Sequence, residues 1–255
     1  MGRKRVLDST PLYDAVATMD TINLIRSAIR NLLKVADKSL KDSLVKVLTS
    51  GDDYASSAKP QVDWDDAAAR ADLVDSRTKD AYACLVELEG RELLEAASEA
   101  ARLLGIVVGQ DLEEDTNGVF RIVRKVAKDR VISVVDPEAR HGHKTSSRRF
   151  DGYKGNIALD PESDIITKTV VTAGNASVAE ELIEDLLKGD DARDVDSENP
   201  ISESQSSCVY GDSSYGTGQF QPRLEAAHMN SKCKTQPPNA KEGLNNPGFL
   251  GDSYS

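Results

Sequence analysis

The spacing of apolar positions along this chain changes twice. Residues 4–10 form a short apolar run that predicts a strand ending at Asp8, and Pro11 is expected to break it. From residue 20 the spacing becomes helical. Ile22, Ile25, Ile29, Leu32, Leu33 and Ala36 recur at steps of three and four, one apolar face of a helix starting at Asp20-Thr21. Leu40, Leu44, Val47 and Leu48 continue the pattern, and Ser50-Gly51-Asp52-Asp53 ends it. Asp63 is the expected cap of a long helix reaching about Leu88. Residues 92–108 predict another helix, closed by Gly109. The stretch 20–128 is thus a helical block with little strand signal.

Strand patterning then returns. Val131-Ile132-Ser133-Val134-Val135 is β-branched and predicts a strand ending at Asp136-Pro137. Residues 153–160 and 164–172 predict a hairpin turned by Pro161-Glu162-Ser163. A helix is expected over 178–188, capped by Asn175 or Ser177, followed by an acidic loop or linker over 189–206. Ser207 to Tyr210 predicts a strand leading to Asp212. A short helix from Thr217 to Met229 and a strand over 232–235 complete the pattern. With the helical block set aside as an insertion, the order is strand, strand, strand, helix, strand, helix. The expected fold is therefore α/β (α+β). Its segments are 1–19 with the first core strand, 20–130 as the helical insertion, 131–243 as the rest of the core, and 244–255 as an aberrant, disordered tail.

Charge and cysteine content narrow the picture. The net charge of −11 argues against a dedicated nucleic-acid binder, but the charge is uneven. Residues 121–154 carry ten Lys/Arg against four acids, a local basic stretch that suits contact with a phosphate backbone. Cys84, Cys208 and Cys233 are widely spaced and form no CxxC pair, so neither a disulfide framework nor a zinc knuckle is expected. No run reaches the ~18 apolar residues of a membrane span, and no apolar segment follows the basic start, so a cytoplasmic setting is the expectation.

Two carboxylates carry the candidate chemistry. Asp8 and Asp212 both follow short apolar runs, where strands can aim metal ligands into a cleft. Locally, Asp8 also fits a cap or turn residue ahead of Pro11, and Asp212 fits a Gly-Asp-Ser turn. Asp160 is a rival acid, but Pro161-Glu162-Ser163 follows it and points to a turn; Asp136, ahead of Pro137, reads the same way. Glu225 is expected on a solvated helix face, and Glu242 is the other late glutamate. His141-Gly-His143 has no third ligand nearby in sequence and reads as a loop or phosphate contact. Gly216-Thr-Gly218 is too short to argue for a phosphate-cradling loop.

Several motifs in a fixed order resemble one family. They are Asp8-Ser-Thr-Pro11, Asp136-Pro-Glu-Ala-Arg140-His-Gly-His-Lys144 continuing through Arg148-Arg149-Phe-Asp151-Gly-Tyr153-Lys154, then Ile157-Ala-Leu-Asp160-Pro, Val171-Thr-Ala-Gly-Asn175 and Val209-Tyr-Gly-Asp212-Ser-Ser-Tyr215-Gly. Together, over about residues 5–243, they resemble the DDE transposases of bacterial insertion sequences. The resemblance implies an RNase H-like core with a large all-helical insertion between the first and second strands. It implies metal-dependent DNA cleavage and strand transfer in DNA transposition, with Mg²⁺ or Mn²⁺ as cofactor. Asp8 and Asp212 carry over as the first two acids of the catalytic triad and as metal ligands. The third, a glutamate expected well downstream on a helix, is absent, so a truncated, impaired fragment is expected. Arg140, Lys144, Arg148, Arg149 and Lys154 are the expected DNA contacts. The expected partners are transposon-end DNA and a second copy or a full-length transposase; the alternative is a non-catalytic DNA- or transposase-binding remnant.

Overall fold

The protein is described by a computed structural model covering residues 3–13, 18–58, 62–123, 127, 129–144, 147–176, 180–184, 207–213, 215–216, 220–226 and 229–234. The fold is mixed α/β. Strand β1 (Lys4–Tyr13) is followed by helices α1 (Thr21–Val35), α2 (Lys38–Val47), α3 (Ala67–Leu88) and α4 (Glu95–Gln110). Strands β2 (Leu112–Glu114), β3 (Phe120–Ile122), β4 (Arg140–His143), β5 (Arg149–Asp160) and β6 (Ile165–Ala173) come next. A 3₁₀ turn (Glu180–Ile183), β7 (Cys208–Gly211), α5 (Gln221–Ala226) and β8 (Asn230–Ser231) complete the order. Six strands form one sheet in the order β4-β5-β1-β7-β8, with β6 also paired to β5, while β2 and β3 form a separate antiparallel pair. The chain divides into two compact units, one of residues 1–10, 154–172 and 176–255, the other of residues 11–153 and 173–175. This division falls at other points than the boundaries 19/20 and 130/131 read from the sequence.

In the second unit the predicted helices form, and aspartates cap α1, α2 and α3, while α4 starts at Leu94 without a side-chain cap. The side chains of Asp20 and Asp37 each accept from the amide three residues on, at 2.9 Å. The long helix α3 is capped by Asp66 rather than Asp63. Asp63 is used one turn earlier, accepting from Asp65 N at 3.0 Å, so the chain turns once before the helix begins. Leu24, Ile25, Ala28, Ile29 and Leu32 of α1 pack with Ala81, Cys84, Leu88, Leu104 and Val107 in one apolar core.

Charge is also buried here, and it is paired. Asp52 receives Arg26 and Arg77, both through nearly buried side chains, at 3.0 and 2.8 Å. Asp80 is fully buried and accepts from Thr49 N, Ser50 N and the Tyr54 hydroxyl. Burial and these bonds push the Tyr54 hydroxyl well above its ordinary pKa, with burial the larger cause. The two acids thus fasten the loop after α2 onto α3 and α1.

Three expectations are corrected. Residues 131–135 are not a strand. The Gln110 carboxamide accepts from Val131 N at 2.9 Å and donates to Val131 O at 3.1 Å, while Met19 N donates to Ile132 O. One side chain satisfies the backbone that a strand partner would otherwise have to satisfy. Strand β1 does not stop before Pro11 but runs to Tyr13. Its ladder with β7 ends at Leu7, so the missing amide proton of Pro11 removes no bond there. The helical block, finally, contains the short β2–β3 pair.

The first unit holds the middle of the sheet. Its core is Leu7, Ala158, Leu182, Ile183, Val209, Tyr215, Phe220, Leu224, Met229 and Cys233. The predicted hairpin is present: residues 161–164 connect β5 to β6, too short a link for anything but antiparallel pairing. The expected helix over 178–188 is described only as the 3₁₀ turn, and the expected helix 217–229 only as α5. The last strand is β8, two residues earlier than the 232–235 expected. The linker over 189–206, Glu242 and the tail 244–255 lie outside the described residues.

Asp80→Ala is expected to remove the acceptor of four donors, Thr49 N, Thr49 Oγ1, Ser50 N and the Tyr54 hydroxyl, and to lower stability by about 3 kcal/mol. Urea unfolding followed by circular dichroism measures this; an unchanged midpoint would show that the loop's anchoring is not coupled to the helical core.

Candidate metal centre

Asp8 and Asp212 come together because of one ladder. Strand β1 pairs with β7 in parallel, matching Lys4 with Cys208, Arg5 with Val209, Val6 with Tyr210 and Leu7 with Gly211. The next step along both strands is Asp8 and Asp212. Neighbouring strands lie ~4.8 Å apart, and residues level in a parallel ladder project to the same side. Burial follows that alternation: Arg5, Leu7 and Val209 are buried, while Asp8, Tyr210 and Asp212 are exposed. Asp8, inside β1, and Asp212, the residue after β7, therefore stand one step past the last matched pair, and both are exposed.

The position has a topological cause. After β1 the sheet is extended on one side by β5 and β6, and the chain later crosses to the other side to add β7 and β8. Asp8 lies midway along β1, one residue past the point where the ladder with β7 ends. Two exposed carboxylates at this spacing repel by only about 1 kcal/mol in water. The fold can hold them together without an ion.

The local alternatives separate. Asp8 lies inside β1 and is no helix cap; its carboxylate accepts from Ser9 N at 2.7 Å. Asp212 does open a turn, its carbonyl accepting from Tyr215 N at 3.2 Å, and its side chain remains exposed. Asp160 is fully buried and accepts from Glu162 N, the turn role expected of it. Asp136 accepts from the Tyr153 hydroxyl at 2.6 Å, a bond that pushes that phenol up to about 12. Glu225 is exposed on α5.

Beneath the pair lies a side chain that pattern reading passes over. Tyr215 is buried, at 1% exposure, and its hydroxyl has no hydrogen-bond partner among the described residues. Ser9 is close enough to act on that hydroxyl and opposes the upward shift. Burial pushes the phenol up to about 12, with the charges of Asp212 and Asp8 adding to it. The signal in the sequence was Gly211-Asp212 followed three residues later by an aromatic.

Carboxylate oxygens are the ligand type that a hydrated Mg²⁺ or Mn²⁺ prefers. Among the described residues no third His, Cys, Asp or Glu joins Asp8 and Asp212 to make a larger metal cluster. His141 is not in a loop: it sits on β4 opposite Asp151, its Nδ1 2.5 Å from Oδ1 of that residue, a cross-strand pair.

The five basic candidates divide. Lys144, Arg148 and Arg149 are exposed at the tip of the β4–β5 hairpin, where Lys144 N donates to Arg148 O at 2.9 Å. Arg140 donates to the carbonyls of Pro137 and Ala139 and fastens its own loop. Lys154 is half-buried and donates to Ala176 O at 2.7 Å, and burial lowers its pKa.

No family model matches this chain, nor does any curated protein sequence or solved structure. Among the described residues no helix is long and apolar enough to cross a membrane.

A Cβ at Gly211 would lie 2.9 Å from the Tyr215 ring. Gly211→Ala is expected to force that ring away and destabilise the protein by about 2 kcal/mol. Chemical denaturation checks it; wild-type stability would show that the ring has room to move.

Proposed function

We propose that the chain bears the first two acids of a DDE-type, RNase H-like metal site and acts on DNA phosphodiesters as a transposase or a fragment of one. The observation that supports this reading is the parallel register of β1 with β7, whose last matched pair, Leu7 and Gly211, directly precedes Asp8 and Asp212. Asp8 lies on β1, the first strand of the sheet, and Asp212 follows β7, the fifth strand of that sheet in chain order, where the motif resemblance expects the fourth. The helices α1–α4 stand between β1 and the strands that follow, where that reading expects an insertion.

A divalent ion would there offset phosphate charge and lower the pKa of an attacking water. Asp8 and Asp212 would hold it from two strands fixed by backbone hydrogen bonds, so that their spacing is preset. The basic hairpin tip would contact the DNA backbone without reading sequence. That exposed tip also favours a second reading, a DNA-binding chain whose metal site does not complete catalysis. Association with a second copy or a full-length transposase belongs to both readings.

Plasmid nicking with Mg²⁺ or Mn²⁺ tests the first reading. Ion-dependent nicking should be lost, by at least about tenfold, in Asp8→Asn and in Asp212→Asn. Nicking that survives both substitutions would sink the assignment. DNA binding with no ion-dependent nicking would favour the second reading. For the hairpin tip, replacing Lys144, Arg148 and Arg149 by Ala should reduce the slope of log affinity against log salt by about 3, near one per lost phosphate contact. Lys154→Ala should leave that slope unchanged. A slope unaltered by the triple substitution would place DNA contacts elsewhere.

A further inference from the structure

We propose that Tyr215 is a positioning residue for the aspartate pair, a strut whose ring seats the end of β7 and whose hydroxyl meets β1 just past Asp8. This inference rests on the metal-site reading of Asp8 and Asp212.

The ring end is set by close packing. A Cβ at Gly211 would fall 2.9 Å from Cδ2, 3.0 Å from Cβ and 3.1 Å from Cγ of Tyr215. Only glycine lets the ring approach the backbone just before Asp212. Phe220 meets the same ring edge-on, with centroids 5.9 Å apart and planes at 64°. The backbone contributes as well, since Tyr215 N donates to the carbonyl of Asp212 itself. The ring cannot shift without moving the residues on either side of the carboxylate.

The hydroxyl end is unfinished. It is buried beside Ser9, the residue after Asp8, and has no partner among the described residues. Burying a hydroxyl without a bond costs stability, and phenylalanine would fill the same space without that cost. A buried orphan of this kind calls for a cause. The two ends supply one. Gly211 and Leu7 are register partners, so Tyr215 links the residue before one aspartate to the residue after the other. Drawing both carboxylates onto one ion tightens the same two segments. That movement brings the Tyr215 hydroxyl into line to donate to Ser9 Oγ, and the bond is made only in the loaded state.

The role predicts an unusual pairing of effects. Tyr215→Phe should leave the melting temperature of the ion-free protein unchanged or raised, because the orphan is gone. It should weaken Mn²⁺ binding about three- to tenfold, the worth of one hydrogen bond made on loading. Ser9→Ala removes the acceptor with little disturbance and should weaken Mn²⁺ binding to a similar extent. Isothermal titration calorimetry of the full chain with Mn²⁺, beside thermal melts without it, reads both quantities. If Asp212→Asn abolishes binding while Tyr215→Phe and Ser9→Ala bind as the wild type does, the strut is overturned and the metal site stands. If the wild type binds no Mn²⁺, or Asp212→Asn binds it equally well, the metal-site reading fails and the strut fails with it.

Discussion

The parallel ladder between β1 and β7 is the constraint on which the candidate site depends. It is short, four matched pairs from Lys4–Cys208 to Leu7–Gly211. It nonetheless decides where both aspartates stand, each one step past the last matched pair. A slip of one residue would send one carboxylate into the core, because side chains alternate between faces. Buried Arg5, Leu7 and Val209 on the opposite face oppose such a slip. The apolar residues thus hold the register, and the register presents the acids.

Much of the helical unit was legible because apolar positions recur at helical steps and aspartates cap three of its four described helices. Steps of three and four over Ile22 to Leu33 identified α1, and Asp20 marked its start. The strand predicted at 131–135 failed for a nonlocal reason. β-branched residues favour extension, but residues 131–133 are buried with their backbone satisfied by Gln110 and Met19 rather than by a neighbouring strand, and the chain bends at 134–136. No local pattern announces a carboxamide standing in for a strand. Strand β4 was missed for the opposite reason: Arg-His-Gly-His has no alternation, and its burial rests on Gly142 meeting the Phe150 ring.

The candidate site was legible in its acids and illegible in its support. Short apolar runs ending in Asp8 and Asp212 could be seen, and so could the turn role of Asp160, which the Glu162 amide now explains. That the two aspartates follow one matched pair could not be seen, since register is a property of two segments at once. Tyr215 was hidden for a similar reason. Its importance comes from Gly211 beside it and Ser9 across the ladder, not from its own neighbourhood in sequence. The basic stretch shows the limit of counting charge: of five candidates, Arg140 and Lys154 spend their donors on backbone carbonyls.

The ladder also sets an order in time. Asp8 is made almost at once during synthesis, and its partner on β7 follows only after some two hundred further residues. Pairing across so long a separation is slow, and the helical unit, rich in local contacts, folds first. Until β7 docks, Asp8 is a lone carboxylate on an exposed strand edge, with no chelating power worth the name. The growing chain therefore passes most of its synthesis with Asp8 lacking its partner. Whatever chemistry the pair supports is withheld until the sheet is complete.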